Sequence, residues 1–115
     1  MTSTYRITPR ALQDLQNIGR YTLKQWGREQ RNKYLQALER RFKWLAANPY
    51  VGAHRPEIRE GYFSYVQGSH LIFYLKREGG IDIIGLPHQC MDIGGYLVPQ
   101  QNLWVALGIG RSPRP

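Results

Sequence analysis

His88 follows Pro87 and precedes Met91-Asp92, a spacing that lets an imidazole and a carboxylate share a hydrogen bond where the chain leaves a sheet. Such a couple can move protons near neutral pH, and it can equally pin a chain end without doing chemistry. Arg59 and Tyr62 enter an aromatic run together. Arg59 can grip a phosphate or a partner's carboxylate, or hold its own loop to Glu57 or Asp92. His70, Tyr74 and Lys76 fall on one face of an alternating stretch. A basic, aromatic sheet surface holds single-stranded nucleic acid by stacking and phosphate contact; the alternative is a solvated face with no ligand. Cys90 has no basic neighbour adjacent in sequence to activate its thiol and reads as inert. Three histidines and one cysteine show no metal-ligand spacing, and no glycine-rich phosphate loop is present, so no cofactor is expected.

Those groups need a frame, and residues 8–48 provide it. Thr8 offers an N-cap oxygen, and Pro9 suits the first helical position, where a missing N–H costs nothing. Leu12, Leu15, Gly19, Thr22 and Trp26 recur at steps of three and four with Ile18 beside them, which predicts a helix with one apolar or small-residue stripe. Gly27 ends it, since glycine takes a left-handed conformation without a Cβ clash. A second stripe, Tyr34, Leu35, Leu38, Phe42 and Leu45, runs to Asn48-Pro49, where proline stops the helix. Helices joined by one or two residues lie antiparallel, so a hairpin results, with Trp26 and Phe42 in the core and Trp44 off the stripe as a partner contact.

Residues 4–7 alternate and are rich in β-formers, which predicts a first strand. Residues 49–61 carry prolines, glycines and charges with no sustained period and read as a loop crossing the molecule. Strands over residues 62–66, 70–76 and 81–86 follow, separated by turns at Gln67-Gly68-Ser69 and Gly79-Gly80, and form a three-stranded antiparallel meander. The face bearing Leu71, Phe73, Leu75 and the isoleucines is expected to cover the hairpin, giving a two-layer α+β domain. Ile81/Ile83 and Ile84/Leu86 are both apolar, so alternation leaves open which pair faces inward. Residues 88–97 are read as a helical turn or short strand, Gly94-Gly95 arguing against anything long.

A chain of 115 residues forms a single domain able to bury roughly two-thirds of its unfolded surface. One cysteine cannot make an internal disulfide, the start lacks an apolar signal core, and no run approaches the roughly eighteen apolar residues of a membrane span. A soluble, cytoplasmic protein is therefore expected. The net charge is +8 and the sequence pI near 10.0. Much of the excess lies on the hairpin, at Arg10, Arg20, Lys24, Arg28, Arg31, Lys33, Arg40, Arg41 and Lys43. The pairs Glu29–Lys33 and Glu39–Lys43 are ordinary helix chemistry. The remainder should attract a polyanion or an acidic protein, unless it is only a solvated face.

Local phrases carry a more specific signal. Tyr5-Arg-Ile-Thr-Pro, Leu12-x-x-Leu15, Tyr21-Thr22, Trp26-Gly27, Tyr34-Leu-x-x-Leu38, Asn48-Pro49, Gly52, Arg59-x-Gly61-Tyr62, Gly68-Ser-His70, Ile72-Phe-Tyr74, Ile81-x-Ile83 and His88-Gln-x-Met91-Asp92 occur in that order. Together they resemble the ParE branch of the ParE/RelE toxin superfamily over residues 5–97. The resemblance implies a type II toxin with the RelE/ParE-like fold over residues 1–97, followed by an extension over 98–115. It further implies a cognate antitoxin that neutralises the toxin, and DNA gyrase as the target, stalled on cleaved DNA. On that reading Arg59, Tyr62, His70, Tyr74, Lys76, His88, Asp92 and Trp44 are partner-binding and no residue is catalytic. The other branch, the RelE-like ribosome-dependent mRNA endonucleases, would instead use Arg59, His70, Tyr74, Lys76 and His88 to cut RNA. ParE-like chains commonly carry Arg where this one has Gly85, and Arg or Lys where it has Cys90, so a non-toxic, antitoxin-binding member is a further alternative. The apolar Leu103-Trp-Val-Ala-Leu segment is expected to dock on its own domain, on a second copy in a homodimer, or on a partner in a toxin–antitoxin hetero-oligomer.

Overall fold

Thr8 turns the first strand into the first helix. In the computed structural model, which describes residues 4–89, the elements run β1 (Thr4–Ile7), α1 (Pro9–Trp26), α2 (Arg28–Ala47), β2 (Ala53–His54), β3 (Tyr62–Gln67), β4 (His70–Arg77) and β5 (Gly80–Gly85). The expectations for Cys90, Asp92, the segment after His88 and the extension over 98–115 lie outside the described residues. Thr8 Oγ1 accepts the Ala11 N–H at 3.3 Å, and Pro9 takes the first helical position. Gly27, at φ 94°, is the entire linker between the helices. Its N–H closes α1 on the Leu23 carbonyl and its own carbonyl accepts the Arg31 N–H that opens α2, both at 3.0 Å. Glu29 in the first turn of α2 suits the positive end of the helix dipole.

The sheet has the order β1-β5-β4-β3-β2. β3, β4 and β5 form the expected antiparallel meander. β1 adds to its edge in parallel beside β5, with Thr4 opposite Gly80 and Ile7 opposite Ile83. A Cβ at position 80 would strike the Thr4 carbonyl, so glycine is what lets the two backbones meet. At the other edge Ala53 and His54 of the crossing loop pair with Ser64 and Phe63. A two-residue strand is too short to show a period, which is why this loop reads as irregular.

The hairpin packs on the face that alternation assigned to solvent. Ile72 and Tyr74 join Leu38, Phe42, Leu45, Ile81, Ile83 and Leu86 in the main core. Leu71, Phe73 and Leu75 point the other way, where Phe73 packs with Tyr62, Ile84 and Ile58 of the crossing loop. Both faces of β4 are apolar enough to be buried, so its pattern alone does not orient it. The pairing of β4 with β5 shifts between Phe73 and Tyr74, leaving Ile84 as an extra residue. That bulge answers the question the isoleucines posed: Ile81, Ile83 and Leu86 face the hairpin, and Ile84 alone faces away.

The helix stripes are corrected in part. On α1 the buried residues are Ala11, Ile18, Gly19 and Thr22, whereas Leu12 is 49% exposed. Trp26, the last residue of α1, is 70% exposed and outside the core. Phe42 is buried as expected. Among the described residues no helix is long and apolar enough to cross a membrane.

Tyr74 is fully buried, and its hydroxyl donates to the Pro49 carbonyl and accepts the Gly52 N–H, each at 3.0 Å. The chain leaving α2 is thereby fastened to the centre of the sheet. Tyr74→Phe keeps the ring but strands both backbone groups, so it should lower stability by about 2 kcal/mol. Urea unfolding should show this as a lower midpoint at unchanged m-value.

Candidate functional site

α1, the start of α2 and the far end of the sheet enclose a cleft of about 860 Å³. One wall is the outer side of α1, with Ile18, Tyr21, Thr22 and Trp26. The opposite wall is Ser69, His70, Leu86, Pro87 and His88, and Gln30 and Tyr34 come from α2. Asp14 anchors the corner: its Oδ2 accepts the Leu86 N–H at 2.9 Å, and Arg10 lies 3.6 Å from its other oxygen. The exposed faces of Tyr21 and Trp26 make this an aromatic opening on an otherwise cationic hairpin.

His70 and His88 do come together. Leu71 N–H donates to the Pro87 carbonyl at 2.9 Å and Gln89 N–H to the Ser69 carbonyl at 2.8 Å, which sets the two histidines opposite each other. Their rings meet edge to face, 5.4 Å between centroids. His70 Nδ1 is 2.7 Å from the Tyr34 hydroxyl, which also reaches the Gln67 carbonyl at 3.1 Å and accepts the Ser69 N–H at 3.2 Å. Burial holds the His70 imidazole below its ordinary value, His88 pushes the same way and Asp14 opposes. Burial likewise raises the Tyr34 phenol, against the Ser69 N–H.

The other sequence-selected residues lie elsewhere. Tyr74 is locked in the core, and burial raises its phenol against the Gly52 N–H. Tyr62 is buried on the opposite face of the sheet against Phe73. Arg59 is beside it, lowering a phenol pKa that burial raises. Lys76 sits 4.4 Å above the Tyr50 ring. Trp44 packs on Tyr65, 5.5 Å between centroids. Asp92 lies outside the described residues. Arg59, His70, Tyr74 and His88 are thus not gathered around one cleft, and among the described residues no three His, Cys, Asp or Glu side chains are placed to hold a metal ion.

Sequence reasoning missed Asp14, Tyr34 and Arg55. Asp14 is the one carboxylate of α1, an oddity in so basic a helix that could have drawn notice. Tyr34 passed as a stripe residue because its ring is half-buried while its hydroxyl serves the cleft. Arg55 on the far face pairs with Glu57 at 2.6 Å, donates to Ser64 Oγ at 3.1 Å and covers Phe73; nothing in its local sequence marks it. A second, apolar groove of about 550 Å³ runs along the other side of the hairpin, floored by Leu15, Gly19, Leu35 and Phe42 and edged by Arg20, Arg31 and Glu39.

The sequence matches the model of the ParE toxin of the type II toxin–antitoxin system parDE over residues 5–93, and the chain belongs to that family. Toxin ParE1 of Mycobacterium tuberculosis H37Rv is 39% identical over 94 residues, covering 81% of this chain and 96% of the relative. Toxin ParE1 of Caulobacter vibrioides is 35% identical over the same coverage. In the solved chromosomal ParDE toxin–antitoxin system from P. aeruginosa, one chain superposes with a TM-score of 0.61 at 22% identity, over 76% of this chain and 96% of that one, a likeness of fold.

The depressed His70 pKa makes stability depend on pH. The unfolded imidazole takes its proton near 6.5 and the folded one only at lower pH, so this contribution is complete above 6.5 and is lost as the pH falls toward the folded value. The wild type should therefore lose stability relative to His70→Gln between about pH 7 and pH 5. Urea midpoints of the two proteins across that range read the difference directly.

Proposed function

We propose that this ParE-family toxin acts by binding DNA gyrase and arresting it on DNA, so that replication is blocked, and that a cognate antitoxin neutralises it. One observation carries the reading: His70 and His88 meet in the cleft without Arg59 or Tyr74, which an RNA-cutting site would need beside them, while the exposed rings of Tyr21 and Trp26 flank its mouth. Arg59 and Tyr62 lie on one face of the sheet, Tyr74 spends its hydroxyl inside the core, and His70 is tied to Tyr34. Tyr21 and Trp26 instead offer flat, rigid area at the mouth of the cleft, the kind of surface that dominates protein recognition. The curated and solved ParE likenesses supply the context for an antitoxin partner, and the apolar groove edged by Arg20 and Arg31 suits a segment bearing apolar and acidic side chains.

Purified toxin added to gyrase, relaxed plasmid and ATP should suppress supercoiling or accumulate cleaved plasmid, and translating ribosomes should yield no new mRNA ends. Codon-positioned cuts with no effect on gyrase would reverse the assignment. The Tyr21→Ala, Trp26→Ala double variant should remain folded and lose gyrase inhibition by about tenfold or more, the range of a hot-spot aromatic. Induced expression without antitoxin should arrest growth, and a small acidic protein encoded beside the toxin should co-purify with it at moderate salt. Unimpaired growth with soluble protein would mark a non-toxic member.

A further inference from the structure

Away from both grooves, the hairpin side of the sheet continues past the helices as a ribbon of rings and cations. The Arg41 guanidinium sits over Trp44 and Tyr65, 4.7 and 5.1 Å from their ring centres. Two residues back on the same face of β3 comes Phe63. Lys76 Nζ lies 5.7 Å from the Phe63 ring centre and 4.4 Å from that of Tyr50. Tyr50 is 75% exposed and ends the ribbon at a polar hollow of about 340 Å³. Lys76 and Arg77 line that hollow, and no carboxylate is among its described lining residues.

We propose that this ribbon binds single-stranded DNA directly, with bases stacked on Trp44 and Tyr50 and a phosphate seated beside Lys76 in the hollow. Planar faces alternating with cations complement an unpaired strand, whose bases are free to stack; a duplex hides those faces. An acidic peptide would find the cations but little apolar depth, since the apolar grooves lie elsewhere on the hairpin. Two acceptors at ring level are already engaged by the ribbon's own cations. Gln67 Oε1 accepts from Arg41 Nε at 2.8 Å, and the Tyr50 hydroxyl from Lys76 Nζ at 3.4 Å. The choice of DNA over RNA rests on the proposed function, which sets the toxin beside DNA held by gyrase.

The test is fluorescence anisotropy of a labelled thymine oligonucleotide of about 15 nucleotides, titrated with the full chain at salt between about 50 and 200 mM, without gyrase or antitoxin. Binding is expected, at least tenfold tighter than to a duplex of equal length. Tyr50→Ala and Trp44→Ala should each weaken it about tenfold, and Lys76→Gln should flatten the log–log salt slope by about 0.7. Tyr50 and Lys76 are exposed, so their variants keep the fold even if Trp44→Ala does not, and circular dichroism verifies it. The proposal is overturned if duplex binds as tightly, if the matching uracil RNA or a polyglutamate binds more tightly, or if the Tyr50 and Lys76 variants bind like the wild type. Gyrase is absent from the measurement, so a negative result leaves the gyrase reading standing.

Discussion

Thr8 is the joint on which the domain turns. Its hydroxyl accepts the Ala11 N–H that starts α1 and donates to the Ile83 carbonyl at 2.9 Å, while its own N–H reaches the same carbonyl at 3.2 Å. One residue therefore caps the first helix and binds it to the last strand. Beside it Arg6 holds Asp82 through both carboxylate oxygens, at 2.8 and 3.0 Å, and Arg77 adds a third contact at 2.9 Å. These hydrogen bonds, Arg6 first, keep the Asp82 carboxyl below its ordinary value. Arg6 is largely exposed, so the ion pair contributes little by itself, and the registry of β1 on β5 rests on the backbone ladder and the Thr8 cap.

From that joint follows a sheet buried on both sides. The bulge at Ile84 lets β5 present Ile81 and Ile83 to the hairpin, with Leu86 just beyond it, and still close the small far-side cluster around Phe73. The residues that follow it, Leu86, Pro87 and His88, run along one wall of the cleft. The cleft is a product of strand register as much as of helix sequence. Asp14 then fixes its width by binding the Leu86 backbone across it.

Much of this was legible from local chemistry. The Thr8-Pro9 start, the Gly27 break and the Asn48-Pro49 stop mark both helices, because capping and chain reversal depend on neighbouring residues alone. The first strand and the meander were equally readable. The inward face of β4 was not, because Leu71, Phe73 and Leu75 are as apolar as Ile72 and Tyr74, and only the hydroxyl of Tyr74 finding Pro49 and Gly52 decides the matter. The parallel placement of β1 and the pairing of β2 depend on contacts distant in sequence. At the site, the meeting of His70 with His88 is a strand-pairing event, and the exposure of Trp26 at the end of α1 is set by tertiary packing that the helical period does not show. The family phrases did transmit the assignment that periodicity could not.

A linker of a single residue makes the two helices one stiff lever. Gly27 hydrogen-bonds backward into α1 and forward into α2, and both helices are fixed to the sheet at their distant ends by Thr8 and Tyr74. Hinge motion at the tip would have to break those helical bonds, which favours a cavity beside α1 that keeps its shape. Whatever enters meets a largely preset mould, with the indole and phenol of Trp26 and Tyr21 projecting at its mouth. Such a mould forfeits little entropy on occupation and discriminates by shape, at the cost of tolerance for ill-fitting guests.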